Sequence, residues 1–376
     1  MGRNIRSVKD FVSVNYPHLD YSMSPLSREI EDNLIEDHPY LEIRRISQSY
    51  RRYGYALCDF VARKFLFDWL SDYGKTKLFK KLGVKIVNSG MAAINLAIHT
   101  VNQHSKKDFI VPSDLYFASK ELFSLYEKKL IGKVYFLKKG EILNKSNHRQ
   151  NSVVFLEKCG NSPEMIFWSE EEIIKLTNFY RYVILDGSLI GLSRINPSIL
   201  EQRNLLYVES LSKNYHLKES SNFSAGILIY NRDLEELINK EIFCLGNYLQ
   251  INDLLQFPNK LYMVGKERIR RITNNVRNFY IKVRKLLMKS RIKISKIGLK
   301  YKEIPMVIFI DFKEKNKAKQ FIYESKLKIR GSFGHNNTYI LPIGLMWNTT
   351  PPGLIRIAFG VKSNNNKIIK AIKKAI

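Results

Sequence analysis

The sequence predicts an α/β protein with a large domain built on a mostly parallel sheet, followed by a smaller α+β domain. Between residues 58 and 256, short apolar segments rich in β-branched residues alternate with helical segments, as strands buried on both faces do. After Pro258 a long amphipathic helix precedes two further strand-like segments, 306–312 and 354–359, with a helix over 317–325 between them.

Seven segments of the large domain have the length and composition of buried strands. They are 85–88, 109–112, 134–137, 153–157, 182–186, 205–208 and 226–230. The residues before them form a polar, proline-interrupted stretch that is typical of an arm packing on another surface. We therefore predict three units: an N-terminal arm over 1–57, a large domain over 58–256 and a small domain over 257–376.

The chain is strongly basic, with 62 Lys and Arg against 35 Asp and Glu and a net charge of +27. Such a balance raises nucleic acid, a membrane surface or an anionic substrate as a partner. The excess runs through a chain that is generally rich in Lys, Ile and Asn, so we favour a compositional origin and expect neither nucleic acid nor membrane as partner. The densest cluster, 266–293, is interpreted as one amphipathic helix with a solvated basic face.

Targeting and metal signals are missing from the sequence. No apolar stretch approaches the roughly 18 residues that a bilayer crossing requires, and residues 1–10 are not followed by the apolar region of a secretory signal. We therefore expect a cytoplasmic protein. Cys58, Cys159 and Cys244 are odd in number and far apart, which suggests neither a disulfide framework nor a metal site.

Polar residues follow three of the predicted strands at their carboxyl ends, where open α/β sheets bind ligands. Residues 88–94 open a helix, so the amides of Gly90 and Met91 either face an anion or belong to an ordinary helix start capped by Ser89. Asp186 ends an apolar strand, where a carboxylate requires a cationic partner or serves as a cap.

A third strand end places hydroxyls beside an amine. Ser210, Ser212 and Lys213 directly follow the strand over 205–208. An isolated lysine is usually a solvated surface residue, so the interpretation of Lys213 depends on its neighbours.

Taken in order, these segments resemble the motifs of the Cys/Met-metabolism family of PLP-dependent enzymes, which includes cystathionine gamma-synthase and the cystathionine beta- and gamma-lyases. The chain's NSGMAAI, SDLYFAS, FLEKCGNSP, VILDGS and ESLSKNY are similar to the family's SSGMAAI, DLYGGT, FLESPSNP, VVVDNT and HSATKY. SYRRYG, SFGHNNTYILP and LIRIAFGVK are similar to YSRxGNPT, SLGGVESLI and LVRLSVGIE. The resemblance spans residues 50–360 and implies the aspartate aminotransferase-like fold of PLP-dependent transferases.

The resemblance also implies pyridoxal 5'-phosphate as cofactor, held mainly by the large domain. Lys213 would form the Schiff base, Asp186 would pair with the pyridine nitrogen and Asn161 would meet the phenolic oxygen, with Glu157 supporting it. The residues implied as phosphate ligands are Gly90, Met91, Ser210 and Ser212 and, reaching into a neighbouring subunit, Tyr50 and Arg52. The chemistry is consistent, because a phosphate dianion requires amides, hydroxyls and an arginine, and an aspartate keeps the ring nitrogen protonated.

The remaining implied roles concern the substrate. Tyr116 would stack on the cofactor ring and assist proton transfer, and Lys213 would remove the α proton. Ser332 and Arg356 would bind the carboxylate of an amino-acid substrate. Because Tyr50 and Arg52 complete a neighbour's site in the resembled family, we expect a homodimer or homotetramer with shared active sites.

The leading functional hypothesis is elimination or replacement at the β or γ carbon of an amino acid. Transamination or carbon–carbon bond formation on the same scaffold is the alternative, and an inactive relative that binds a polyanion is a third hypothesis. Retention of Lys213, Asp186, Tyr116 and Arg356 argues against the third.

Several departures from the family pattern mark a divergent chain, suited to a specialised biosynthetic pathway. Ala118 replaces the cysteine of methionine lyases, which disfavours that activity. Phe333 stands where γ-acting members carry leucine and β-lyases an aromatic residue. His335 replaces a glycine and is either a specificity or acid–base residue, or a surface or capping histidine. The loop after Lys213, residues 216–222, is longer than in the family.

Overall fold

The larger part of the molecule is a seven-stranded sheet. The computed structural model describes residues 51–103, 105–127, 129–144, 151–215, 224–249, 257, 260–288, 290–298, 300, 303–346 and 351–376, with the backbone alone for 51–57. The strands of this sheet are β1 (Leu82–Val87), β2 (Phe109–Pro112), β3 (Val134–Leu137), β4 (Val153–Glu157), β5 (Tyr182–Asp186), β6 (Leu205–Ser210) and β7 (Gly226–Asn231). Six of the seven strands coincide with or extend the predicted segments, whereas β1 begins three residues before its predicted segment, 85–88, and ends one residue before that segment does.

The sheet is mostly parallel, as predicted. Its order is β1-β7-β6-β5-β4-β2-β3, and only β7 among these seven runs against its neighbours. The side chains of β4 alternate between two cores, with Val154 and Leu156 on one face and Val153 and Phe155 on the other. Burial on both faces explains why the strands are continuous apolar segments in the sequence.

Helices cover both faces of the sheet. Those described are α1 (Arg51–Asp72), α2 (Gly90–Asn102), α3 (Phe117–Glu127), α4 (Lys139–Asn144), α5 (Glu170–Thr177), α6 (Glu235–Leu245), α7 (Leu261–Leu287), α8 (Lys315–Ser325), α9 (Ile343–Met346) and α10 (Asn365–Ala375). Helices α2, α3 and α6 pack on one face, whereas α1, α4, α5 and α7 contribute to the core on the other. Among the described residues no helix is long and apolar enough to span a bilayer.

A second, four-stranded sheet forms the C-terminal part. It consists of β8 (Lys293–Ile294), β9 (Val307–Asp311), β10 (Tyr339–Leu341) and β11 (Leu354–Ala358), in the order β10-β11-β9-β8 with antiparallel pairing throughout. Helices α8 and α10 pack together beside it. The sequence predicted β9, β11 and α8, but the two- and three-residue strands β8 and β10 carry no pattern long enough to recognise.

Helix α7 connects the two parts of the molecule. Ile269 packs closely on Gly191 of the large part, and Phe279 contacts Phe359, the residue after β11, at 4.9 Å between ring centroids. Near its start, Lys266 pairs with Asp72 at the end of α1. The three predicted units remain a prediction; the boundary after residue 57 falls inside α1, and residues 1–50 lie outside the described part of the chain.

Truncating the Phe279 ring is expected to destabilise the junction between the sheets. Phe279 and Phe359 are both fully buried, so Phe279→Ala loses apolar burial and leaves a cavity worth about 3–5 kcal/mol. The midpoint of urea unfolding, followed by circular dichroism, measures this. The control is the exposed neighbour Asn278→Ala, expected within about 0.5 kcal/mol of the wild type. Equal effects of the two substitutions would contradict the assignment of this contact.

Candidate active site

The carboxyl ends of β4, β5 and β6 bring polar side chains to one edge of the large sheet. Glu157 is paired in register with Asp186, and β6 ends at Ser210 one strand further on. A cavity of about 220 Å³ lies at this edge. Nine residues predicted for the site line it: Gly90, Met91, Tyr116, Asn161, Asp186, Ser210, Ser212, Lys213 and Arg356.

The start of α2 forms one wall of the cavity. Ser89 caps the helix by accepting a hydrogen bond from the Ala92 amide at 3.0 Å. The amides of Gly90 and Met91 come first in the helix, where no intrahelical acceptor exists. A Cβ on Gly90 would lie 2.7 Å from Cβ of Ser210, so only glycine lets this turn approach the end of β6.

Three serines continue the wall. The hydroxyls of Ser210 and Ser212 lie 2.8 Å apart, and the Ser210 amide donates to the Ser188 hydroxyl at 2.9 Å. Two adjacent hydroxyls beside the first amides of a helix provide the donors that an anionic oxygen cluster requires.

Asp186 lines the cavity and is half-buried. Its Oδ1 accepts from the Ser188 amide at 2.8 Å. Burial raises the pKa of this carboxyl, and the hydrogen bonds from Ser188 and the positive charge of Lys213 oppose that rise. Lys213 therefore serves as the cationic partner that the sequence predicted for Asp186, although its charge only partly offsets the effect of burial.

Lys213 projects its amine between the two sheets. Its Nζ donates to the Ser332 hydroxyl at 3.0 Å and lies 5.1 Å from the ring centroid of Phe333. Burial, reinforced by the positive charge of Arg356, lowers the pKa of Lys213 to about 8, while Asp186 acts in the opposite direction. About one tenth of the amine is therefore uncharged at pH 7, far more than for a lysine of ordinary pKa, and the uncharged form is the one that a nucleophile or base requires.

Glu157 positions two residues of the opposite wall. Its Oε1 accepts from the Tyr116 amide at 2.8 Å and its Oε2 from the Asn161 amide at 3.2 Å. Burial and the nearby charge of Asp186 raise the pKa of Glu157 well above its ordinary value. Burial likewise raises the pKa of the Tyr116 hydroxyl, which keeps that group protonated and able to donate.

Arg356 closes the site from the small sheet. It lies within β11, donates through Nη2 to the Gly331 carbonyl and places Nη1 3.5 Å from Oδ1 of Asn161. Its Nε is buried and has no partner among the described residues. Burial lowers the pKa of Arg356 to about 10, so this is a desolvated cation with a donor available for an anionic ligand.

For the remaining predicted residues the structure shows fewer contacts or no side chain. Ser332 bonds to Lys213, which lines the cavity. Tyr50 lies outside the described residues, and Arg52 lies in α1 without a described side chain. The loop over 216–222 is also outside them. His335 is buried against Tyr339, with 5.2 Å between their ring centroids.

Sequence reasoning missed Ser188, which links Asp186 to Ser210, and Gly334. A Cβ on Gly334, whose φ is +79°, would lie 1.7 Å from the Lys213 carbonyl oxygen. The signal for Ser188 was present, because a serine two residues after a strand-ending aspartate commonly completes an Asx turn.

The residues present fit the cofactor that the sequence motifs imply. Amides and hydroxyls suit a phosphate, a buried carboxylate suits a protonated ring nitrogen, and a buried amine of lowered pKa suits imine formation. The close contact of Gly90 with Ser210 and the unpartnered Nε of Arg356 are the features of an anion-binding cradle.

Comparison with known proteins identifies the fold. No protein-family model and no curated protein matches the sequence. Among solved structures, cystathionine gamma synthase from Xanthomonas oryzae pv. oryzae in complex with cystathionine matches with a TM-score of 0.66 and 17% identity, over 85% of this chain and 84% of that chain. The chain has the PLP-dependent transferase fold. O-Acetylhomoserine sulfhydrylase of Wolinella succinogenes matches with a TM-score of 0.59 and 16% identity, over 82% of this chain and 96% of that chain.

The buried amine should react at a pH where ordinary lysines do not. A pKa of about 8 predicts that, in protein freed of any bound cofactor, labelling of Lys213 by a small amine-directed reagent increases with pH up to about 8 and then levels off. Below that pH the uncharged fraction falls tenfold per unit. Peptide mapping by mass spectrometry gives the rate at each pH, with exposed Lys133 as internal control. A profile for Lys213 that keeps rising beyond pH 10 would show an amine of ordinary pKa.

Proposed function

We propose that this chain is a PLP-dependent enzyme that catalyses elimination or replacement at the β or γ carbon of an amino acid. The observation that carries the proposal is the buried Lys213 amine, with a pKa lowered to about 8, in one cavity with Asp186 and an amide–hydroxyl cradle. Perturbed groups that converge in a cavity are typical of catalytic sites, whereas a purely structural core avoids them.

The cofactor would be held at three points of the cavity. The amides of Gly90 and Met91 and the hydroxyls of Ser210 and Ser212 would bind its phosphate. Asp186 would pair with the protonated ring nitrogen. That nitrogen would give the carboxylate a partner with a full positive charge. Asn161 would face the phenolic oxygen from the wall that Glu157 supports.

When bound, pyridoxal 5'-phosphate supplies an aldehyde that condenses with amines and a ring that delocalises negative charge from the substrate's α carbon. Lys213 would first hold the cofactor and, once displaced by the substrate amine, accept the α proton at Nζ. Ser332 would orient that nitrogen, since it already bonds it in this structure. The Tyr116 hydroxyl, kept protonated by burial, would donate to the departing group.

Arg356 would bind the carboxylate of the substrate. Its buried guanidinium has an unpartnered Nε, and Nη1 lies beside Asn161 at the far wall of the cavity. A carboxylate bound there would place the α carbon near the Lys213 amine, because both cations line the same cavity. Binding an anion would also offset the cost of burying this arginine.

The solved structures of the same fold support chemistry at the β or γ carbon. They include cystathionine gamma synthase in complex with aminoacrylate and cysteine and an O-acetylhomoserine sulfhydrylase. Phe333 faces the Lys213 amine. Because β-lyases of the resembled family carry an aromatic residue at this position, Phe333 favours β-elimination. We also propose a cytoplasmic homodimer or homotetramer in which Tyr50 and Arg52 reach a neighbouring phosphate site.

Loading with the cofactor tests the first half of this proposal. The purified protein is expected to be yellow, and borohydride reduction should attach the pyridoxyl group to the peptide that contains Lys213. Lys213→Ala should remove the attachment, whereas exposed Lys133→Ala should leave it unchanged. A protein that takes up no pyridoxal phosphate, or one labelled equally without Lys213, would refute the assignment.

Product analysis tests the reaction type. We expect cystathionine or O-acylated homoserines to give keto acid and ammonia, or a replacement product when a thiol is added. Arg356→Lys should raise KM at least tenfold, because lysine cannot provide the planar fork for a carboxylate. Formation of a new amino acid from an added keto acid, with no ammonia released, would identify an aminotransferase instead.

A further inference from the structure

The most basic part of the chain lies away from the cavity. Residues 268–302 contain thirteen Lys and Arg and no Asp or Glu. At the average composition of the chain, a segment of this length would hold about three acidic residues. A general excess of lysine therefore does not account for this segment, whose charge is a local feature.

Helix α7 presents much of this charge on its solvent face. Its buried residues, which include Ile269, Val276 and Phe279, face the larger apolar core. Seven exposed residues of the opposite face form what we call the basic ridge: Arg270, Arg277, Ile281, Lys282, Arg284, Lys285 and Met288, the residue that caps α7.

The basic ridge has a regular pattern. Arg270, Arg277 and Arg284 are seven residues apart, which places them in one row along roughly 21 Å of helix. Ile281 and Met288 follow Arg277 and Arg284 by four residues and lie in the same row, 40% and 77% exposed. From Arg277 onward the row therefore alternates cations with exposed aliphatic side chains.

Most of the ridge cations lack an acidic partner. In the described ranges, Arg277, Lys282, Arg284 and Lys285 form no salt bridge, whereas Arg270 pairs with Glu267. Clustered, unneutralised cations repel one another, and an anionic partner relieves that repulsion.

The aliphatic residues in the row indicate which partner fits. An anionic bilayer offers phosphates at its surface and hydrocarbon just beneath, which match the arginines and the Ile281 and Met288 side chains respectively. Single-stranded nucleic acid is usually held by exposed aromatic rings, and the ridge has none. A duplex would bind the arginine row but leave Ile281 and Met288 against a charged backbone.

From this pattern we infer that the basic ridge of α7 binds anionic lipid surfaces. This departs from the expectation, drawn from composition, of no membrane partner. It concerns peripheral attachment through exposed side chains and is independent of the catalytic proposal, because no ridge residue lines the cavity.

Vesicle co-sedimentation of the full chain tests the inference. The protein should bind vesicles of phosphatidylcholine mixed with phosphatidylglycerol and not those of phosphatidylcholine alone. Replacing Arg277, Arg284 and Lys285 with Gln should weaken binding on the order of one hundredfold, since each cation near an anionic surface contributes about fivefold. The control replaces exposed Lys367, Lys370 and Lys373 of α10 with Gln, which removes the same charge and should change binding little.

A second variant separates lipid from other polyanions. Ile281→Ser with Met288→Ser should weaken vesicle binding at least fivefold while leaving salt-dependent retention on a heparin column unchanged. No binding to the anionic vesicles, equal losses in the ridge and α10 variants, or an unaffected serine variant would each overturn the inference. Unchanged thermal unfolding midpoints show that all variants are folded, as expected for exposed positions.

Discussion

The hydrogen bond from the Lys213 amine to the Ser332 hydroxyl joins the large sheet to the loop before β10, and the candidate site depends on this junction. Neither sheet contains the site alone, because Asp186 and the serines come from one and Arg356 from the other. Helix α7 packs against both parts of the molecule and so holds these residues in position relative to one another. Arg268 on that helix donates to the Gly334 carbonyl at 2.8 Å, next to the loop residues that touch Lys213.

The charged groups in the cavity lower the stability of the folded state. The charge of buried Arg356 acts on half-buried Lys213, and buried Glu157 lies beside half-buried Asp186 on the adjacent strand. Burial and the like charge of the neighbour together raise the cost of ionising Lys213 and Glu157. A core selected for stability alone would replace these groups with apolar side chains. Their presence together is understandable if a ligand carrying both negative and positive groups enters the cavity.

The strands and the site residues were predictable from the sequence to different degrees. Strands such as β4 and β5 were predicted with their observed bounds because burial on both faces makes them continuous apolar segments. Short β8 and β10 form through pairing with β9 and β11, and such long-range contacts leave no local pattern. The polar strand ends were visible in the sequence. The bond from the Ser188 amide to Asp186 had a local signal in the sequence, whereas the bonds from the Tyr116 and Asn161 amides to Glu157 depend on backbone geometry that composition does not encode.

The loop that carries Ser332 places two adjacent residues under opposite constraints. Gly334 has a positive φ and no room for a Cβ beside the Lys213 backbone, whereas Phe333 is a buried residue that packs in the apolar core and turns its ring towards the Lys213 amine. Mutational tolerance should therefore change sharply within one peptide unit. Laboratory evolution of this protein could vary position 333 among apolar side chains of similar volume as a means of changing the shape of the cavity. A library that also randomised position 334 would consist mainly of members whose lysine is misplaced.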